Sequence, residues 1–132
     1  MAEDHKMPYA DPWMLPETKG FWEACNEGRL VIRTCKDCGR GHHFPRAMCP
    51  HCYSDNLEWK ESDGTGTIYS FTAQQVKGGG KYVYAYVEIA DRVRAITNIV
   101  DCDPDALQIG QKVKAVFKPS AGGQNILLFT PA

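Results

Sequence analysis

The chain has 132 residues and a mass of 14.7 kDa, the length of one ordinary domain or of a small module beside a domain of about 70 residues. With 43% hydrophobic and 23% charged residues, its composition is globular and excludes a disordered tail. The formal net charge of −1 gives no global argument for nucleic-acid binding, although residues 29–60 hold more bases than acids. The sequence has no long apolar run and no secretory signal, so it predicts a cytoplasmic protein without a membrane span.

Residues 1–30 are predicted to form an extended arm and a short helix. The arm is rich in proline and has no helical period, and the helix is expected to end at Gly28. Thr18 is the expected N-cap of this helix. Two interpretations of the aromatic residues remain open. They cover the chain's own core, or Trp13, Phe21 and Trp22 dock onto another subunit.

Residues 31–60 are predicted to form a metal-binding ribbon, because four cysteines follow the pattern C-x2-C-x10-C-x2-C: Cys35, Cys38, Cys49 and Cys52. Each C-x-x-C pair forms a tight turn that points two sulfurs at one place, and two pairs complete a tetrahedron about 2.3 Å from zinc. Four thiolates leave no open position for water or substrate, so the zinc is expected to be structural. Iron is the competing metal, since a tetrahedron of thiolates also accepts iron and the segment "CPHC" resembles a rubredoxin motif.

The remaining histidines and cysteines of this region are not expected to bind the metal or to react. His42, His43 and His51 are surplus to a four-cysteine site, and we interpret them as surface or supporting groups. Cys25 lies on the apolar side of the expected helix and is typical of a small packed hydrophobe. Cys102 has no motif that links it to a base. The sequence therefore predicts no catalytic residue.

Residues 61–132 are predicted to form five short strands, which favour a closed OB-fold barrel over the alternative of an SH3-like barrel. The first strand is expected to alternate Tyr69, Phe71 and Ala73 against Ile68, Ser70 and Thr72. The tract Lys77 to Lys81 is interpreted as a flexible hairpin tip. The three tyrosines at positions 82, 84 and 86 share a face that either stacks nucleic-acid bases or packs across strands.

Several segments, in this order, resemble a family of bacterial and archaeal acyl-CoA-associated proteins that join a rubredoxin-like zinc ribbon to an OB-fold. The resemblance rests on "FWEACNEGRLVIRTC", "CKDCGRGHHFPRAMCPHC", "GTGTIYSFT", "TNIVDCDPDALQIGQKVKAVF" and "LLFTP". It implies a mostly β protein whose four cysteines bind the metal. It also implies a small partner of a thiolase, thiolase-like aldolase or acyltransferase, in a hetero-oligomer whose larger subunit carries the catalytic groups.

The resemblance further implies that such a subunit helps to bind acyl-CoA, of which an aromatic compound such as 2-benzoylsuccinyl-CoA is one candidate. The phosphates of coenzyme A attract arginine, so Arg40 and Arg46 in the basic ribbon are the candidate contacts. The alternative is that both arginines are solvated or pair with acids of a partner. A single-stranded nucleic-acid-binding module is the alternative function, and the near-neutral charge disfavours it.

Overall fold

The computed structural model describes residues 9–77 and 80–132. The expectation for residues 1–8 of the arm lies outside these ranges. So does the expectation for the centre of the tract Lys77 to Lys81, since residues 78 and 79 are not described. Within the described ranges, no helix has both the length and the apolar character needed to cross a membrane.

The helix α1 (Lys19–Asn26) follows one turn of 3-10 helix. Thr18 is at the N-cap position of α1 as expected, but its side chain makes no capping hydrogen bond to α1, because its hydroxyl bonds to the preceding turn. Thr18 Oγ1 donates to the carbonyl oxygen of Leu15 and accepts from the Leu15 N–H, both at 3.1 Å. The expected end is confirmed: Gly28 has a φ of 74°, and its N–H donates to the carbonyl oxygen of Cys25 at 3.1 Å.

The ribbon contains a small antiparallel sheet with the order β2-β1-β3. Its strands are β1 (Val31–Cys35), β2 (Gly41–His42) and β3 (Leu57–Glu61). β3 pairs with the whole of β1, from Val31 opposite Glu61 to Cys35 opposite Leu57. The ribbon sheet therefore runs one residue past the expected boundary at residue 60.

The second sheet curls into a nearly closed five-stranded barrel with the order β6-β5-β4-β7-β8. Its strands are β4 (Thr65–Gln75), β5 (Lys81–Ala90), β6 (Val93–Asn98), β7 (Lys112–Pro119) and β8 (Asn125–Pro131). The two outer strands meet where the Val100 N–H donates to the carbonyl oxygen of Phe129 at 2.8 Å and Thr97 Oγ1 donates to that of Leu127 at 3.1 Å. The mostly β OB-fold prediction is confirmed.

One strand of the barrel departs from the alternation expected from its sequence. The pairing of β4 with β5 shifts between Ile68 and Ser70, which indicates a β-bulge at Tyr69. Ile68 is buried, Phe71 also packs against the core, and Tyr69 is half exposed. The expectation that Tyr69 and Phe71 share a face opposite Ile68 is therefore wrong, because the extra residue reverses the direction of the side chains.

A single hydrophobic core joins the helix, the ribbon and the barrel. Its members from the helix and ribbon are Phe21, Cys25, Leu30 and Ile32, and the barrel supplies residues such as Ile68, Val87, Val113 and Phe129. The two parts meet closely at Gly41, where a Cβ atom would lie 3.1 Å from Val93 Cγ2 and 3.3 Å from Ile32 Cγ2. Ribbon and barrel therefore stabilise one another.

The described part of the arm lies against the turn between β7 and β8. The Asp11 carboxylate accepts hydrogen bonds from Ser120 Oγ at 2.6 Å and from the Gly122 N–H at 2.7 Å. These two bonds, that from Ser120 first, lower the pKa of Asp11. The chain then continues into Trp13, whose side chain is 85% exposed.

The aromatic residues of the arm and helix differ in exposure, and this corrects one expectation. Phe21 is only 2% exposed and belongs to the core, so its ring packs mainly within this chain. Trp22 is partly buried and packs edge-on against Phe21, with ring centroids 4.9 Å apart. Partner docking remains a proposal for Trp13 and for the open edge of Trp22.

Candidate metal centre and its surroundings

The structure brings the four predicted cysteine ligands to one point. Cys35 Sγ and Cys52 Sγ are 3.6 Å apart, Cys38 Sγ and Cys49 Sγ are 3.7 Å apart, and all four sulfurs lie within 4.8 Å of one another. A tetrahedral ion with four Sγ atoms at about 2.3 Å requires sulfurs separated by about 3.8 Å. The set therefore fits a thiophilic cation in tetrahedral coordination.

The two halves of the site repeat the same backbone geometry. The Gly39 N–H donates to the carbonyl oxygen of Cys35, and the Tyr53 N–H donates to that of Cys49, both at 2.9 Å. Gly39 and Tyr53 both have positive φ angles, 77° and 65°. Glycine adopts this conformation without strain, whereas tyrosine does so at a cost of about 1 kcal/mol. Tyr53 therefore marks the second turn, although its residue type gave no signal for it.

Backbone N–H groups point at the sulfurs and favour the thiolate form. Donation from the Cys38 N–H, at 3.5 Å, is the main cause of the lowered pKa of Cys35. Burial raises the pKa of Cys49, but the N–H groups of Cys52 and His51 outweigh it and the net value is about 7. The Ser54 N–H lowers the pKa of Cys52, but burial and the other three thiols raise it to about 12. Four thiolates in this space therefore need a cation to offset their repulsion.

The three histidines between the cysteines are outside the ligand set, but only His51 is exposed. His42 is buried, and its Nε2 accepts a hydrogen bond from the Arg46 N–H at 3.2 Å. Burial, and then His42, lower the pKa of His43 to about 4. Of the two expected roles, that of a surface group does not hold for His42, which is buried, or for His43, whose ring centroid lies 5.1 Å from that of Phe21 on the helix.

The two arginines that the sequence singled out lie in different surroundings. Arg40 lines a cleft of about 420 Å³ between the ribbon and the barrel, and its Nη1 lies 3.4 Å from His51 Nδ1. Arg46 is exposed and does not line this cleft. Lys60 and Arg92 line it instead, and the sequence reasoning missed both because they come from β3 and from the distant turn after β5.

The tyrosine face of β5 is not covered by the described arm or by the helix. Tyr84 and Tyr86 are both about half exposed, and the Tyr82 and Tyr84 rings are 5.1 Å apart. On the neighbouring strands, the Arg94 guanidinium lies 3.9 Å from the Tyr69 ring centroid. The rings thus pack along and across strands while part of their surface stays open.

Two family models match adjacent parts of the chain. The rubredoxin-like zinc ribbon domain of ChsH2 matches residues 22–58, and the C-terminal OB-fold domain of ChsH2 matches residues 59–118. The chain belongs to the ChsH2 ribbon and OB-fold family. This family was expected from the resemblance, and its ribbon includes all four cysteines of the metal centre.

Relatives of the chain differ in length and in the function their names give. A DUF35 domain-containing scaffold protein of Methanothermobacter thermautotrophicus is 33% identical over 112 residues, covering 80% of this chain and 84% of the relative. The probable enoyl-CoA hydratase alpha subunit of Thermomonospora curvata is 34% identical over 117 residues, covering 85% of this chain but only 37% of the relative. The chain thus spans little more than a third of that subunit.

A thiolase subunit and a solved aldolase complex also match. The benzoylsuccinyl-CoA thiolase subunit BbsA of Geobacter metallireducens is 26% identical over 88 residues, covering 64% of this chain and 59% of the relative. Among solved structures, a chain of the Ltp2-ChsH2(DUF35) aldolase superposes with a TM-score of 0.80 at 30% identity. That match covers 92% of this chain and 98% of the other.

Proposed function

We propose that the chain is a non-catalytic accessory subunit of a thiolase-type acyl-CoA enzyme, one that cleaves β-ketoacyl-CoA or performs retro-aldol or acyl transfer. The match to nearly the whole of a chain from the Ltp2-ChsH2 aldolase carries this proposal. The similarity to the DUF35 scaffold protein and to the thiolase subunit BbsA supports it. In this role the chain stabilises the complex and helps to bind acyl-CoA.

The chemistry of the described residues agrees with a non-catalytic role. The four cysteine sulfurs complete a coordination sphere by themselves, leaving no position for a substrate. Cys25 is fully buried, and burial raises the pKa of its thiol to about 12, which makes it a poor nucleophile. In this proposal, the catalytic groups of the enzyme belong to the partner.

The metal we propose is zinc, because a closed thiolate tetrahedron is its usual structural site. Cys35, Cys38, Cys49 and Cys52 would hold it, and bound zinc would supply folding free energy to the two turns of the ribbon. Elemental analysis is expected to give about one zinc per chain. A visible absorption band and stoichiometric iron would assign the site to iron instead.

The thiolate site also favours a cytoplasmic location, where cysteines stay reduced.

An apolar groove offers a docking surface for the thiolase-like subunit. It has a volume of about 520 Å³ and is lined by residues that include Pro12, Trp22, Phe44 and Ile96. Ile96 is 65% exposed, and Trp13 follows Pro12 directly along the chain. Exposed aromatic and aliphatic side chains around one groove are typical of a protein interface. The occupant that the relatives favour is an enzyme subunit.

Co-expression with a thiolase-like protein from the same organism tests the docking surface. We expect the two chains to co-elute in size-exclusion chromatography, and we expect Ile96→Asp and Trp13→Ala to weaken the complex. Ile109→Asp is the matched control, because Ile109 is 70% exposed but does not line the groove. Separate elution of the wild-type chains would refute the partnership. Equal effects of Ile96→Asp and Ile109→Asp would refute the groove as the interface.

Binding of single-stranded nucleic acid is the second candidate function, and the half-exposed Tyr84 and Tyr86 on a barrel face favour it. Glu88 lies on the same face and is 3.6 Å from Arg94, so the face does not present free positive charge. A fluorescence titration with oligonucleotides at low salt separates the two functions. Tight, salt-dependent binding would support this candidate, and no binding at low salt would remove it.

A further inference from the structure

The cleft between the ribbon and the barrel combines an apolar floor with a positively charged rim. Ile32, Ile89 and Val93 are buried residues of its floor. The rim carries Arg40 and Arg92, which face solvent. The volume of about 420 Å³ is within the usual range for small-molecule sites.

Three cations reach this cleft from three separate parts of the chain. Arg40 follows the first cysteine turn, Lys60 lies on β3, and Arg92 lies in the turn between β5 and β6 with a φ of 59°. These three side chains are far apart in the sequence and converge only in the folded protein. The close contact of ribbon and barrel at Gly41 holds them in a fixed relation.

Acidic side chains of this protein do not neutralise the three cations. In residues 9–77 and 80–132, no ion pair within 4.0 Å involves Arg40, Lys60 or Arg92. Glu61 also lines the cleft, but its carboxylate is held by Arg29 at 2.7 Å. Asp91 is the other acid of the lining, so the cleft keeps an excess of positive charge.

We propose that this cleft binds the phosphate groups of the nucleotide half of acyl-CoA. The proposal rests on the accessory function above and adds the site, with Arg40, Lys60 and Arg92 as the contacts. Arginine and lysine side chains at the mouth of a concave site suit a diphosphate and an additional phosphate monoester. The apolar floor suits the adenine ring or the first part of the pantetheine arm. Arg46 then has no part in binding, although the sequence pointed to it.

Isothermal titration calorimetry of the full, zinc-loaded chain tests this site. Coenzyme A, dephospho-coenzyme A, pantetheine, inorganic diphosphate and a single-stranded oligonucleotide serve as probes. We expect coenzyme A to bind more tightly than dephospho-coenzyme A, and pantetheine to bind weakest. Arg40→Gln and Arg92→Asn should each weaken coenzyme A binding about tenfold, the effect of losing one charge-assisted contact. Asparagine is chosen because it tolerates the positive φ of Arg92.

Arg46→Gln is the matched control, since it removes an exposed ribbon arginine outside the cleft. Unchanged affinity in Arg40→Gln and Arg92→Asn, with coenzyme A still bound, would overturn the cleft but leave the accessory function standing. Absence of coenzyme A binding would overturn both the cleft as a binding site and the proposal that this chain helps to bind acyl-CoA. The partnership with a thiolase-like subunit is tested separately, by co-elution. Oligonucleotide binding that is equally sensitive to these variants would assign the cleft to nucleic acid and overturn the proposal.

Discussion

Gly20 shows how a tertiary contact explains a residue that weakens its own helix. Glycine within a helix costs about 1 kcal/mol relative to alanine. The Trp59 indole lies so close to Gly20 that an added Cβ would be 2.8 Å from both its Cε2 and its Nε1 atoms. The other partner of this indole is Arg33, whose guanidinium carbon lies 4.5 Å from the ring centroid. The helix therefore approaches the ribbon only because position 20 has no side chain.

We expect Gly20→Ala to lower the free energy of unfolding by about 1 to 2 kcal/mol, because overpacking against Trp59 exceeds the gain in helix propensity. Urea denaturation measures the change. The same substitution in a Trp59→Leu background should be neutral or stabilising, since the indole is gone. Stabilisation by Gly20→Ala in the wild-type background would contradict this packing.

His43 makes the stability of the fold depend on pH. Burial, and then the nearby His42, lower its folded-state pKa from 6.5 to about 4. The unfolded chain then takes up a proton at a higher pH than the folded chain, so stability falls as the pH drops from about 6.5 towards 4. Above pH 6.5 the ring is neutral in both states, and this contribution no longer changes.

Between pH 7 and pH 5, we expect His43 to remove about 2 kcal/mol from the free energy of unfolding. His43→Phe keeps a ring at this position and has no proton to exchange. Between pH 7 and pH 5, the free energy of unfolding of this variant should therefore fall by about 2 kcal/mol less than that of the wild type. Protonation of the cysteines affects both proteins and cancels in the difference. Equal pH slopes for wild type and variant in urea denaturation would show that His43 is not buried in its neutral form.

At the scale of elements, the ribbon consists of two equivalent turns on a small sheet. The core stabilises one end of this sheet, and the proposed metal would stabilise the turns at the other end. The turns are closed by the N–H groups of Gly39 and Tyr53, and they meet at the four sulfurs and through a hydrogen bond from Ser54 Oγ to the Asp37 carboxylate. The opposite end of β1 contributes Ile32 to the common core. Loss of the metal should therefore affect the turns more than the strands.

After chelation of the metal, we expect the amide protons of Gly39 and Tyr53 to exchange faster, because metal binding supplies the free energy that holds these turns. Amides in the middle of β5 should keep most of their protection, since β4 and β6 pair with that strand on both sides. Hydrogen exchange followed by mass spectrometry or NMR measures both. Unchanged exchange at Gly39 and Tyr53 would contradict a structural role for the metal.

The elements were predictable from local patterns, whereas features set by contacts between distant elements were not. The spacing of the cysteines and the alternation in β5 depend on neighbouring residues, and both are seen in the structure. The β-bulge at Tyr69 depends on pairing with β5, so the alternation of β4 alone gave the wrong face. The exposure of Phe21 was equally undetermined, because helix amphipathicity does not say whether the apolar side meets the same chain or another.

The candidate site shows the same division between local and distant information. The metal ligands lie in one segment of the sequence and were all identified from it. The cleft cations Lys60 and Arg92 are brought beside Arg40 by the packing of the ribbon on the barrel. No sequence motif connects them, so the sequence singled out Arg46, which is nearer to Arg40 along the chain but lies outside the cleft.

At the scale of the whole molecule, one core and three surfaces describe the protein. The core joins ribbon and barrel, and a metal on the four cysteines is proposed to support the ribbon turns. The basic cleft and the apolar groove are the two surfaces proposed to bind acyl-CoA and a partner. The open tyrosine face of β5 is the third surface. On the proposed function, this chain supplies binding surfaces and the partner supplies the reacting groups.

Reconstitution of the acyl-CoA enzyme tests the accessory function most directly. The thiolase-like subunit is assayed for cleavage of β-ketoacyl-CoA alone, with the wild-type chain, and with the Ile96→Asp variant. We expect kcat/KM to rise at least tenfold on addition of the wild-type chain and much less with the variant, while the wild-type chain alone shows no turnover. Full activity of the thiolase-like subunit without this chain, or turnover by this chain alone, would contradict the account.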